Sequence, residues 1–223
     1  MTDAKTPSWF EIAERLLLAA NAELGYSLLT GMPPNPVSLV TTFGDAMAER
    51  RRGRGQEFLQ PIVEVVGADR LLAKIEGDPA LESLLWNGLQ GAMATALEEK
   101  RICLARVVAT ALTDDDKVDE AQLLVSALQE LEGPHIAALT RLRKADDENQ
   151  HNPGVNDEIL NSALRSELAP VLAHLLRAGV VFFGSVQGRD GLYRIPDPRT
   201  YGITGVNEFG RRILKDLESI AVE

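Results

Sequence analysis

The densest group of side chains that could bind a metal ion is acidic and lies near the middle of the chain. Asp114, Asp115 and Asp116 are followed by Asp119 and Glu120. Closely spaced carboxylates can hold a divalent cation, but a calcium-binding loop also needs a glycine and ligands at regular intervals. This segment lacks both, so we interpret it as a capped turn between two helices.

Histidine and cysteine do not form a recognisable active site in this sequence. His135, His151 and His174 are far apart, and none lies three or four residues from another histidine or from the cysteine. Cys103 is the only cysteine, which excludes an intrachain disulfide and a cysteine-based zinc site, and we expect it to be a small core residue. His135 follows Gly133-Pro134, where we expect a local hydrogen bond at a helix start.

Short motifs typical of enzymes are missing from the sequence. It contains no GxxxxGK[ST] phosphate loop, no GxGxxG after a strand, no GxSxG and no HExxH. We therefore expect no enzymatic activity, no metal site and no bound cofactor.

The densest positive cluster consists of four arginines: Arg50, Arg51, Arg52 and Arg54. Such a cluster can bind an anion, nucleic acid or an acidic membrane surface. Acidic neighbours lie close by at Asp45, Glu49 and Glu57. We favour a solvated helix face that pairs with these acids.

Composition restricts the classes of protein to which the chain can belong. A chain of 223 residues fits one large or two small domains, and with 5% aromatic residues its core must be mostly aliphatic, which favours helix. The net charge of −10 opposes strong generic nucleic-acid binding, although residues from Asn156 onward, with eight Lys/Arg and nine Asp/Glu, are nearly neutral. No apolar run reaches the roughly 18 residues of a membrane span, and we expect a cytoplasmic protein.

Helical periodicity dominates residues 1–113, which we predict to be a helical region. We expect helices at Trp9–Leu29, at about Phe43–Val66 and, after the start signal Asp78-Pro79, over Pro79–Leu112. The last would be a long helix with one apolar face formed by Leu85, Leu89, Ala92, Ala96, Cys103 and Val107. Its middle is small-sided, which favours close pairing with its copy in a homodimer, through Gly88, Gly91, Ala92 and Ala96.

Residues 114–223 carry a pattern of helices followed by a hairpin and a closing helix. Helices are expected at about 121–131 and again after Gly133-Pro134, before a linker-like loop at 144–156. Apolar spacing predicts a helical stretch over Ile159–Ala178, divided near Pro170 and stopped by Gly179. Val180–Phe183 is then predicted to pair with Leu192–Ile195 across the turn Gly188–Gly191.

This C-terminal pattern resembles winged helix-turn-helix regulators of the MarR and PadR kind. The resemblance rests on LAHLLRAGVV, a hairpin and YGITGVNEFGRRIL, and its matching residues are Tyr201, Ile203, Thr204, Gly210, Ile213 and Leu214. The insert 196–200 lengthens the wing, and Glu167 and Pro170 are unusual in a recognition helix. The resemblance implies a mainly α fold whose C-terminal region is winged-helix-like, with a small β-hairpin.

A second resemblance covers more of the chain. The segment DPALESLLWNGLQGAM at 78–93 is similar to the abortive-infection alpha family, with matches at Leu81, Leu84, Trp86, Leu89, Ala92 and Met93. At the C-terminal end Glu208, Phe209 and Gly210 match in part. This resemblance implies a bacterial protein linked to phage response and transfers no established chemistry.

If the winged region reads DNA, its contacts need polar groups at base edges and cations at phosphates. The candidates are Asn161, Ser162, Arg165, Ser166, Gln187, Arg189, Arg194, Arg211 and Arg212. They include few cations, and Glu167 would face phosphate unfavourably. We therefore place a non-catalytic protein acting through protein contacts or assembly first, a DNA-binding transcriptional regulator second, and an enzyme with an unrecognised site a distant third.

Overall fold

The computed structural model describes residues 37–151, 157–184, 186–187, 193–194 and 200–221, and for 37–46, 149–151, 157–158, 186–187, 193–194 and 221 it describes the backbone alone. The helix predicted at Trp9–Leu29 lies outside these residues. The fold is mainly α, as expected. The chain divides into two compact units, Met1–Val125 and Ser126–Glu223, whereas the predicted boundary is at 113/114.

The first unit is built from helices joined by short turns. In chain order they are α1 (Val37–Val66), α2 (Ala68–Gly77), α3 (Pro79–Ala94), α4 (Glu98–Thr113), a 3-10 turn (Asp115–Lys117) and α5 (Val118–Glu130), within which the division between the units falls. α1 packs against α3 and α4 through a buried face at Phe58, Leu59, Ile62 and Val66. This spacing places the four side chains on one side of the helix.

α3 begins where the sequence predicts but ends earlier. The Asp78 carboxylate accepts the N–H of Ala80 (2.8 Å), and Pro79 occupies the first position. The predicted single helix over Pro79–Leu112 is wrong, because Thr95–Leu97 separates α3 from α4. The Thr95 hydroxyl accepts the N–H of Leu97 (3.2 Å), a local bond within the turn between the two helices.

The small residues of α3 serve packing inside the first unit. A Cβ on Gly88 would lie 2.8 Å from Cζ of Phe58 and 2.9 Å from Cγ2 of Val108, so only glycine permits this approach of α3 to α1 and α4. Gly91 and Ala92 are also buried. Three of the four residues on which the homodimer prediction rests, Gly88, Gly91 and Ala92, are therefore buried within the unit, whereas Ala96 is exposed.

The second unit contains four helices and four short strands among its described residues. They are α6 (Gly133–His151), α7 (Asp157–Ser166), α8 (Ala169–Arg177), β1 (Val181–Phe183), β2 (Val186–Gln187), β3 (Tyr193–Arg194), β4 (Ile203–Val206) and α9 (Glu208–Ala221). The predicted division near Pro170 is confirmed, since α7 and α8 are separate helices. The predicted loop at 144–156 is wrong up to His151, where α6 ends.

Strand pairing differs from the prediction for Val180–Phe183. β1 pairs antiparallel with β4, with Val181 opposite Val206, whereas β2 pairs with β3. β1 and β4, the longer strands, both contribute buried side chains to the core, namely Val181, Ile203 and Val206. Residues 188–191, where the sequence predicts the turn, therefore fall between β2 and β3 in chain order and outside the described residues.

Asn207 fixes the start of α9 against the end of α8. Its Oδ1 accepts the N–H of Gly210 (2.8 Å) and its Nδ2 donates to the carbonyl of Gly179 (2.7 Å). A Cβ on Gly210 would collide with the carbonyl oxygen of Val180. A glycine is thus required where α9 crosses the start of β1.

Candidate functional site

The helix that precedes β1 exposes apolar side chains. Leu172 and Leu175 of α8 are buried, whereas the residues at the start of the helix are exposed. Leu168, at the N-cap of α8, is 71% exposed, and the next two residues, Ala169 and Pro170, are exposed as well. An outward leucine at this position leaves an apolar surface in contact with water.

The polar side chains of α8 are engaged within the unit. Arg177 is bonded to Glu130 at the end of α5. Nδ1 of His174 lies 2.9 Å from the carbonyl oxygen of Pro170, one turn earlier. The helix therefore offers an external ligand mainly apolar surface.

Three aromatic side chains are exposed at one end of the β1–β4 sheet, and we name them the aromatic patch: Phe182 (55%), Phe183 (76%) and Tyr201 (45%). Phe182 lies opposite Gly205 and Phe183 opposite Ile203, so the register shifts by one residue between them. The N–H of Gly184 donates to Gly202 (3.0 Å), which holds the turn carrying Tyr201 beside β1. Exposed aromatic side chains are typical of surfaces that another molecule covers.

Four of the predicted DNA-contacting residues lie on α7. Ser162, Arg165 and Ser166 are exposed, and Asn161 is half-buried. The spacing of three and four places Ser162, Arg165 and Ser166 on one face. The Ser166 hydroxyl donates to the carbonyl of Ala163 (2.7 Å), so part of this polar surface is satisfied by its own helix.

The predicted wing contacts fall on the small hairpin or outside the described residues. Gln187 lies in β2 opposite Tyr193, and Arg194 lies in β3 opposite Val186. Arg189 lies outside the residues that the structure describes.

Arg211 is committed to contacts inside the second unit. Its guanidinium binds the carboxylates of Asp146 and Asp147, and its Nε donates to the carbonyl of Val206 (3.2 Å). Burial alone would lower the pKa of Arg211, but the hydrogen bonds to Asp147 and Asp146 outweigh it and raise the pKa above its usual value. The predicted contact of Arg211 with a DNA phosphate would require these bonds to break.

The other candidate on α9, Arg212, is exposed and its Nε lies 3.9 Å from a carboxylate oxygen of Asp216, one turn later. An exposed pair at this separation is worth little. Among the predicted cations whose side chains the structure describes, Arg165 and Arg212 are exposed.

Two further arginines on α6 pair with acids of the same unit. Arg141 binds both carboxylate oxygens of Glu167 (2.6 and 2.9 Å), and Arg143 binds Glu218 in the same way (2.6 and 3.0 Å). These hydrogen bonds raise the pKa of each guanidinium. Glu167, unexpected in a reader of DNA, therefore holds α6 to the segment before α8.

In the first unit the arginine cluster is only partly a solvated face. Arg54 is half-buried, and its Nη1 donates to the carbonyl of Met93 near the C-terminus of α3 (3.2 Å). Glu57, expected to pair with the cluster, binds Arg101 of α4 instead (2.8 Å). Arg50 and Arg52 are exposed.

A groove of about 280 Å³ runs between α1 and α4. Its lining residues are Glu57, Gln60, Pro61, Glu64, Glu98, Arg101 and Ile102. Glu57 is paired with Arg101, and Glu64 accepts from the amide of Gln60 (3.0 Å). These bonds engage two of its three carboxylates with neighbouring side chains.

The acidic segment at 114–120 is a capped turn, as predicted. A carboxylate oxygen of Asp114 accepts the N–H of Asp116 (3.2 Å), while Asp115 pairs with Lys74 (2.7 Å). Within the described ranges no three His, Cys, Asp or Glu side chains are grouped as a metal site. Cys103 is buried in α4, which confirms its prediction as a core residue.

Sequence reasoning did not predict that Leu168 and the residues of the aromatic patch would be exposed. An apolar residue in a helical or strand pattern is normally assigned to the core, and the spacing does not distinguish the exposed Phe183 from the buried Val181.

No family model, no curated protein and no solved structure matches this chain. Over the part of the chain that the structure describes, no helix has the length and apolar character needed to cross a membrane.

Proposed function

We propose that this protein is non-catalytic and acts through protein contacts made by its second unit. The contact surface consists of Leu168 and the aromatic patch. The observation that carries the proposal is the exposed apolar start of α8, whose Arg177 is already paired with Glu130.

The order α6, α7, α8, β1, hairpin, β4 and α9 is the order expected of a winged helix, and this is the interpretation we adopt. A helix-turn-helix reader places its second helix in the major groove, with polar side chains on base edges. α8 stands at that position in the chain. Its exposed leucine and proline suit an apolar partner surface better than a groove lined by phosphates.

The size of the exposed surface sets the expected strength of such a contact. Covering Leu168 and Phe183 would contribute on the order of 2 kcal/mol each. Their sum corresponds to a dissociation constant of roughly 1 mM, before other contacts and the cost of association are included. We therefore expect a weak, reversible assembly, in which a second copy of the chain is the simplest partner.

The runner-up is a DNA-binding transcriptional regulator, which the exposed positions of Arg165 and Arg212 favour. Fluorescence anisotropy with a pool of duplex DNA, at low and near-physiological salt, separates the two. The proposal predicts no binding at low salt, where attraction to phosphate is strongest. Binding at micromolar or lower concentration that weakens with salt, and that Arg165→Ala or Arg212→Ala reduces, would contradict it. Ser83→Ala, an exposed residue of α3 in the other unit, is the control.

A role in phage response is an extension of the proposal that rests on the sequence resemblance to the abortive-infection alpha family. Deleting the gene in its host and measuring the efficiency of phage plating tests it. Unchanged plating for every phage tried would contradict the extension and leave the contact surface proposal standing.

A further inference from the structure

Two imidazole rings stack between α6 and α8. The centroids of His135 and His174 are 4.7 Å apart, and the ring planes differ by 16°. Both residues are half-buried, and α6 and α8 pack against each other. The stack is thus part of the packing contact between the two helices.

The hydrogen bonds of each ring fix which nitrogen carries the proton. The backbone N–H of Glu132 donates to Nδ1 of His135 (3.0 Å), so this nitrogen must be unprotonated. The carbonyl of Pro170 can only accept, so Nδ1 of His174, at 2.9 Å, must carry a hydrogen. When neutral, His135 is the Nε2–H tautomer and His174 the Nδ1–H tautomer.

The bond to Glu132 also caps α6. Glu132 is the residue before the helix and His135 is its third residue, so the side chain reaches back to the N-cap amide as in a capping box. This confirms the local hydrogen bond predicted for His135. The sequence did not indicate that the ring of His135 stacks on His174 of α8.

We propose that the His135–His174 stack is an acid-sensitive clasp that holds α8 against α6. A proton added to His135 has to go to Nδ1, because Nε2 already carries one. Protonated Nδ1 cannot accept the Glu132 N–H, so the cap of α6 is lost. The added positive charge would also lie against the stacked ring of His174.

Charged residues near the two histidines in the chain form ion pairs with one another. Glu130 is bonded to Arg177, and Arg141 to Glu167. Glu132, whose backbone N–H binds Nδ1 of His135, also carries a carboxylate, which would attract a protonated His135. Such an attraction would replace the bond to the backbone N–H rather than preserve it.

Hydrogen exchange of the full chain tests the clasp, at about pH 5.5 and about pH 7.5, on either side of the range in which histidine titrates. After correction for the intrinsic pH dependence of exchange, protection of 169–177 and of the first turn of α6 should fall about fivefold at the lower pH, the effect of losing one helix cap. His135→Gln keeps a cap acceptor without a titrating group and should abolish most of the fall. His151→Gln, which removes the third histidine, should behave as the wild type.

Equal protection at both pH values in the wild type would overturn the clasp. A fall as large in His135→Gln as in the wild type would overturn it as well. Imidazole ¹⁵N shifts at about pH 8, assigned with His135→Gln and His174→Gln, provide a test that does not depend on stability. One ring should be the Nε2–H tautomer and the other the Nδ1–H tautomer, and two identical tautomers would contradict the geometry. None of these outcomes depends on the proposed contact surface.

Discussion

Asp146 of α6 and Arg211 of α9 are bonded to each other, and Asp146 also accepts the N–H of Val206 in β4 (3.3 Å). One buried carboxylate therefore joins a helix, a strand and the closing helix of the second unit. A Cβ on Gly205 would lie 3.2 Å from Oδ1 of Asp146, so the strand passes close to this carboxylate. The pair explains why α6 continues through a polar segment that the sequence suggests is a loop.

Neutralising Asp146 should destabilise the second unit. Asp146→Asn leaves Arg211 without its buried partner, and we expect a loss of about 2–3 kcal/mol in the free energy of unfolding. Asp147→Asn is the matched control, because the Asp147 side chain is 45% exposed and its bond to the same guanidinium should be worth about 1 kcal/mol or less. Urea unfolding measures both. Equal losses in the two variants would show that burial of Asp146 does not matter.

The contribution of Arg211 to the free energy of unfolding should stay constant over the alkaline range in which a lysine at this position would lose its charge. The pKa of Arg211 is raised on folding, so the stability that it contributes is present below its unfolded pKa and is lost only as pH rises through the folded value. For arginine that window lies above about pH 12. In Arg211→Lys the contribution of the lysine should be lost as pH rises above its unfolded pKa of about 10.4, so its deficit relative to the wild type should grow from about pH 10 upward. Urea midpoints across this range measure the deficit. A deficit that is the same at each pH would mean that the guanidinium contributes through geometry alone.

Gly88 should be replaceable only at a cost, in contrast to a glycine on the open side of α1. Gly88→Ala forces a methyl group against Phe58 and Val108 and should lower the free energy of unfolding by about 1–3 kcal/mol. Gly53→Ala is the control: its Cβ would meet nothing within 4 Å, and we expect about 0.5–1 kcal/mol of stabilisation. Thermal unfolding followed by circular dichroism compares them. A neutral Gly88→Ala would contradict the packing of α3.

Asn207 should contribute through both ends of its amide. Asn207→Ala removes the cap of α9 and the bond to Gly179, and should cost about 1–2 kcal/mol. Asn207→Asp keeps an acceptor for Gly210 but cannot donate to the Gly179 carbonyl, so we expect an intermediate loss. Urea unfolding of the two variants gives the comparison. If Asn207→Asp is as stable as the wild type, the bond to Gly179 contributes nothing measurable.

Helix boundaries were predicted correctly where the local sequence carries a strong start or stop signal. Asp78-Pro79 marks the start of α3, and Pro170 marks the division between α7 and α8. The break at Thr95 was not predicted, because the apolar face continues through it. Periodicity alone cannot distinguish one long helix from two that pack on each other.

Features that depend on distant contacts could not be predicted. The extension of α6 relies on Asp146 meeting Arg211, which lies 65 residues later in the chain. β1 pairs with β4 because their buried side chains share a core, whereas the nearer segment at Tyr193–Arg194 offered a shorter loop. Whether Phe183 is exposed also depends on which elements cover the β1–β4 sheet, and the local sequence pattern does not show this.

Sedimentation velocity over a concentration series, up to about 1 mM, tests the contact surface most directly. The wild type should show reversible association that rises with concentration. Leu168→Glu and Phe183→Glu should remove it while the circular dichroism spectrum is unchanged, and Ser162→Glu, an exposed change on α7, should leave it intact. A single monomeric species at all concentrations, or association that persists in both apolar-to-charged variants, would contradict the account.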